Sequence, residues 1–135
     1  MANGDRAGLA MLRDSSAWIG IRKDNGVTRV SMTNGLTMNS SWATTGTGTG
    51  TEAAGASVSG GKIWLRATAD IRPGSGRTAT FSYSTNGSTF TTLGPAFTLN
   101  NAWQFFMGYR FGVFNYATQS LGGAVTVNRF ELTAP

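Results

Sequence analysis

Hydrophobic and polar residues alternate with period two along most of this chain, and no segment repeats with helical periodicity over three turns. In the stretch from Lys62 to Leu93 the pattern predicts three successive strands, Lys62–Ile71, Arg77–Ser84 and Ser88–Leu93. The first link, Arg72 to Gly76, is made of turn residues. The second carries Asn86-Gly87, the pair that most readily takes the positive φ angles of a type I′ hairpin. In the first of these strands Ile63, Leu65, Ala67 and Ala69 fall on one side and Trp64, Arg66, Thr68 and Asp70 on the other, so one set enters a core while the other faces out. An outward indole beside a guanidinium is either a ligand platform or a ring packed beneath a neighbouring segment.

The same alternation runs through the N-terminal half. Arg6–Leu12 is a small-residue strand that needs close cover on both faces. Ser16–Lys23 places Ala17, Ile19 and Ile21 inward and Trp18, Gly20 and Arg22 outward, repeating the Trp-and-Arg face. A turn at Asp24-Asn25-Gly26 leads into Val27–Thr33, with Val30 and Met32 inward. Beyond Asn34-Gly35 the pattern weakens. Residues 44–61 form a flexible loop region, with a short strand within Ala53–Val58 and Trp42 at the entrance, where it either anchors the loop or forms a binding wall. Toward the C terminus, Phe97–Leu99 is a short extended piece. The aromatic run Trp103–Ala117 has apolar residues on both parities and reads as a central strand buried on two sides, or two strands bent near Gly112. Ala124–Leu132 completes the series with Val125, Val127, Phe130 and Leu132 inward and a bulge near Asn128. About ten short strands without helices predict an all-β fold, two antiparallel sheets packed face to face, with a closed barrel as the alternative.

Composition narrows the chemistry. The 135 residues suit one domain, 1–135, with residues 1–3 read as a start and spacer. Neither cysteine nor histidine occurs, which excludes thiol nucleophiles, zinc–thiolate sites, histidine bases and Ser-His-Asp triads. Nineteen glycines and 13% charged residues fit a loop-rich secreted β domain. No apolar stretch is long enough for a membrane-spanning helix. The net charge of +5 permits attraction to acidic polymers, but the arginines are dispersed along the chain, which disfavours a nucleic-acid surface. The Asn39-Ser-Ser41 and Asn86-Gly-Ser88 triplets match the glycosylation acceptor pattern, and Asn86 has its own reason to be there in the turn.

Three separated segments carry a resemblance: Gly4–Ile21 around Asp5-Arg-Ala-Gly8, Phe81–Phe90 around Ser84-Thr-Asn-Gly87, and Phe105–Thr118 around Gly108-Tyr-Arg-Phe-Gly112. Together they resemble the C-terminal concanavalin A-like domain of family 43 glycoside hydrolases, mainly β-xylosidases and α-L-arabinofuranosidases. The resemblance implies a concanavalin A-like jelly roll and, as in some members, xylan binding. Two departures accompany it. The sequence starts almost at Gly4, without the extra N-terminal strands usual in the family; it reads as an excised fragment, which would leave an open sheet edge or a groove for self-association to cover. The family's hydrolytic carboxylates belong to a separate propeller domain with no counterpart here.

Hydrolysis would need two carboxyl groups roughly 5 to 10 Å apart across a glycosidic bond. The acids are Asp5, Asp14, Asp24, Glu52, Asp70 and Glu131, and none is paired by spacing with another. A structural calcium ion, common in related sandwiches, is the one cofactor left open; it needs several oxygen ligands, and no Asp-x-Asp cluster supports it. Sugar binding asks less. An aromatic face receives the C–H face of the ring, and Arg, Asn and Thr bond its hydroxyls. Trp18 with Arg22 and Trp64 with Arg66 meet this need if their strands are neighbours; Trp42, Tyr109, Asn115 and Tyr116 are further candidates. The leading reading is thus a secreted, non-catalytic domain that binds xylan or arabinoxylan. The competing one is a structural domain that docks on a catalytic propeller and shapes its active site.

Overall fold

The computed structural model describes residues 1–103 and 107–134. Among them ten strands form two antiparallel sheets and no helix: β1 Asp5–Leu12, β2 Ser15–Asp24, β3 Val27–Met38, β4 Thr44–Thr45, β5 Thr51–Ser57, β6 Trp64–Asp70, β7 Thr78–Ser84, β8 Thr91–Thr92, β9 Phe97–Thr98 and β10 Arg110–Ala117. The first sheet runs β10-β1-β2-β3, with β4 and β5 both pairing β3; the second runs β6-β7-β8, with β9 also on β7. β6 lies against β1 and β2, and β7 lies against β2.

The period-two pattern accounts for the core between the sheets. Met11, Ala17, Ile19, Val30 and Met32 from the first sheet meet Ala79 and Phe81 from the second, with Leu93, Phe97 and Leu99 closing one end. Ile63, Leu65, Ala67 and Ala69 pack on this core as the alternation predicts. Gly8 and Gly20 are paired across β1 and β2. A Cβ on Gly8 would come within 2.6 Å of the Gly20 Cα, so these strands approach at a spacing that only glycine allows at both positions.

Asn25 and Gly26 both take positive φ, 50° and 78°, in the two-residue loop between β2 and β3, which is the type I′ geometry. At the Asn86-Gly87 turn only Gly87 does, with φ 77°. There the expected I′ hairpin gives way to a turn held by side chains. The Asn86 Oδ1 accepts from the amides of Ser88 and Thr89, both at 2.9 Å, and the Ser84 Oγ accepts from the amides of Asn86 and Gly87. Local side-chain bonds of this kind outcompete the backbone ladder, so the predicted strand Ser88–Leu93 shrinks to Thr91–Thr92.

Two expectations fail in the C-terminal quarter. The run from Trp103 to Ala117 is not a doubly buried central strand. Residues 104–106 lie outside the described residues, and among the described ones β10 is an edge strand paired only with β1. The second sheet ends at β6, so the core-side residues of β10 stay uncovered: Phe111 is 36% and Val113 54% exposed. No strand forms over Ala124–Leu132, and Val125, Val127, Phe130 and Leu132 are exposed instead of inward. Alternation describes which way side chains would point, but supplies no partner strand. Within 44–61 the structure adds order: Gly46, Gly48 and Gly50 turn the chain with positive φ, and β5 then pairs with β3 over a bulge between Met32 and Thr33.

Candidate functional site

The outward faces of the two sheets look in opposite directions. Trp18 and Arg22 stand on the outer face of the first sheet, Trp64 and Arg66 on that of the second. The two pairs therefore do not make one shelf, because β2 and β6 belong to different sheets.

On the first sheet the register lays outward residues in three rows across the strands. The middle row is Phe114, Gly8, Gly20, Ser31 and Gly55. One flank is Tyr116, Arg6, Arg22, Arg29 and Ser57; the other is Gly112, Ala10, Trp18, Thr33 and Glu52. At strand spacing these rows extend about 19 Å from β10 to β5. The β10 end is aromatic. Trp18 meets the edge of Phe114 with ring centroids 5.2 Å apart, and Phe114 lies 5.8 Å from Tyr116 at an interplanar angle of 34°. Trp18 itself is only 6% exposed, so it props Phe114 and presents no face of its own, whereas Tyr116 is 42% exposed.

From β1 across to β5 the face is an ionic lattice. Arg22 donates from Nε to Asp24 at 3.0 Å and from a terminal nitrogen to Glu52 at 3.1 Å. Arg6 donates to the other Asp24 oxygen at 3.0 Å, and Arg29 to the other Glu52 oxygen at 2.8 Å. The Ser31 hydroxyl adds a third donor to Glu52 at 2.8 Å. Desolvation by itself would raise the carboxyl pKa values. Arg22 and Arg6 outweigh it at Asp24, and Arg29 and Ser31 at Glu52, so both acids are held below their ordinary range. Asp70 is likewise pulled down to about 2 by hydrogen bonds from Arg72. A general acid for glycoside cleavage needs the opposite shift. Asp24 and Glu52 are therefore built to stay ionised and to fix arginines in place.

This lattice had a signal in the sequence that the alternation argument passed over. Once Asn25-Gly26 sets a two-residue loop, Arg22 and Arg29 must face each other across the hairpin. Like charges directly opposite are destabilising, so a shared carboxylate had to come from elsewhere. It comes from Glu52, in the region read as mobile. Arg6 and Phe114 join the site through β1 and β10, pairings that local pattern does not reveal.

The other candidates are placed as follows. Trp64 lies against the Gly87 turn, where a Cβ would come within 2.8 Å of its ring, and Lys62 sits 4.8 Å from its ring centroid. Arg66 is exposed and lies 3.6 Å over the Phe90 ring. Trp42 is 57% exposed with φ 63° in the turn after β3. The Tyr109 hydroxyl is consumed by the fold: it donates to the Ser15 carbonyl at 2.7 Å and accepts from the Asn100 amide at 3.0 Å, and burial chiefly raises its pKa. Asn115 is exposed on the core side of β10, pointing away from Tyr116. Among the described residues no three of Asp, Glu, His or Cys come together to hold a metal ion.

With this geometry in hand, comparisons with known proteins give a consistent result. Residues 1–133 match the family model described as the β-xylosidase C-terminal concanavalin A-like domain. A solved GH43 glycoside hydrolase, engineered to display both endo-xylanase and exo-arabinofuranosidase activity, is 45% identical with a TM-score of 0.84 over 91% of this chain and 25% of its own. A bifunctional GH43-CE protein of Bacteroides eggerthii is 28% identical with a TM-score of 0.76 over 91% of this chain and 14% of its own. The chain thus spans a quarter or less of the solved chains it matches. No curated protein matches.

Proposed function

The chain belongs to the family of β-xylosidase C-terminal concanavalin A-like domains, and from that premise we propose that it is a non-catalytic accessory domain that binds xylan or arabinoxylan on the outer face of its first sheet. A secreted location follows from such a polymeric substrate. The observation that carries the reading is the exposed Tyr116 ring beside Phe114, bordering the arginine row on the same face. One sugar ring can lay its C–H face on the tyrosine, while rings further along the chain, about 14 Å away at three strand spacings, put their hydroxyls on the guanidinium N–H groups that Arg29 does not spend on Glu52. Three salt-bridged arginines held at fixed spacing lose little side-chain entropy on binding.

Affinity electrophoresis in gels containing soluble xylan or arabinoxylan tests this. The intact domain should be retarded, and Tyr116→Ala should weaken retention about tenfold without changing the unfolding transition. Unretarded migration of the intact domain in both gels would defeat the proposal.

A second reading has its own observation. The uncovered Phe111 and Val113 on the core side of β10, with the exposed apolar residues 121–132, suit docking against a catalytic domain. In that case Val113→Lys in a two-domain enzyme lowers activity and thermal stability, while xylan retention of the isolated domain stays the same.

A further inference from the structure

Where the segment after β5 approaches the hairpin of β7 and β8, the structure has an open cleft of about 370 Å³. Its walls are Ser57 and Ser59 on one side, Thr85, Thr89 and Thr91 on the other, with Tyr83 between them and Val58 and Ser84 completing the lining. The volume falls in the range of small-ligand sites. Ser84 is committed to the Asn86 turn. The hydroxyls of Ser57, Ser59, Tyr83, Thr85, Thr89 and Thr91, by contrast, make no hydrogen bond within the protein among the described residues.

We infer that this cleft is a second binding site, one that takes the terminal ring of a neutral saccharide. The lining chooses the ligand. No charged side chain reaches it, so an anion or a cation would leave water without compensation. An apolar ligand would strip water from six hydroxyls and offer them nothing. A sugar ring both donates and accepts around its rim, as the serine and threonine hydroxyls do, and it carries a C–H face for the half-buried Tyr83 ring. The cleft is short beside the rows of the first sheet, which suits a single ring at a chain end; the long rows beside Tyr116 suit the interior of a chain. The two sites share only Ser57, at the end of the arginine row, so each stands or falls separately.

The test is an amide NMR titration of the domain with xylobiose and, separately, with arabinose. The expected result is saturable shifts at Tyr83, Thr85 and Thr89 with at least one of the two sugars. Thr91→Tyr, which fills the cleft from the hairpin wall, should weaken that binding about tenfold or more. Thr89→Tyr crowds it from the same hairpin and serves if the first variant loses its dispersed core amides. Tyr116→Ala should remove shifts along the outer face of the first sheet while those at Tyr83, Thr85 and Thr89 persist. No saturable shift at these residues with either sugar, or shifts that persist in both filled variants, would overturn the inference.

Discussion

Arg13→Met is expected to remove about 3 to 5 kcal/mol of folding stability, a large share of what a domain of this size possesses. The Arg13 side chain is 3% exposed, and its guanidinium spans a gap that backbone ladders do not close. It donates to the carbonyls of Met107 at 3.0 Å and Asn100 at 2.8 Å and to that of Ala102 as well, and lies 5.9 Å from the Tyr109 ring centroid. One side chain thereby ties the irregular segment before β10 to the end of β1. Methionine keeps the aliphatic packing but leaves these part-buried carbonyls without donors, at about 1 to 3 kcal/mol each where water cannot replace the lost bond. Arg13→Lys should fall between, because an ammonium cannot present the planar fork that reaches several carbonyls at once. Urea unfolding followed by tryptophan fluorescence checks the series. A midpoint for Arg13→Met within error of the parent would show that the segment is held by something other than this fork.

Arg13 also marks where legibility of the fold stops. Read locally, Arg13-Asp14-Ser15 is turn chemistry, and so it is: the Ser16 Oγ accepts from the Arg13 amide at 3.0 Å. The carbonyls that use the guanidinium lie 87 or more positions away, beyond any local pattern. The same boundary separates Ile19 from Trp18. Alternation alone places Ile19 inward, where it is fully buried. It places Trp18 outward too, correctly, but only the β1–β10 pairing brings Phe114 over the indole and seals it. Asn25-Gly26 could be read because the turn depends on two backbone angles. The assignment of β2 and β6 to different sheets could not, since alternation in each strand is identical whichever sheet it joins. The tail 124–132 shows the converse: a strand-like sequence stays unpaired where no edge meets it.

Glu52→Gln should lower stability by about 1 to 2 kcal/mol at neutral pH, and the loss should fade in acid. The amide keeps the shape of the carboxylate but leaves Arg22 and Arg29 facing each other with less countercharge, and Ser31 with a weaker acceptor. The magnitude is modest because the three charged side chains are 25 to 37% exposed and partly screened. The sign of the pH effect follows from the depressed pKa of Glu52 in the folded domain. Between the folded value and the ordinary value of 4.5 the unfolded chain binds more protons, so stability rises with pH across that window. The contribution is complete above the ordinary value and disappears as pH falls through the folded one. Asp24 adds a similar slope below its ordinary value of 3.8. Denaturation midpoints from pH 7 down to pH 3 should therefore converge for the parent and Glu52→Gln, with the shallower acid limb in the variant. Retention on arabinoxylan should weaken in parallel at pH 7, because the arginine row then loses the anchor that holds its donors at fixed spacing. Parallel stability curves that keep a constant gap into acid would show that Glu52 acts by packing and not by charge.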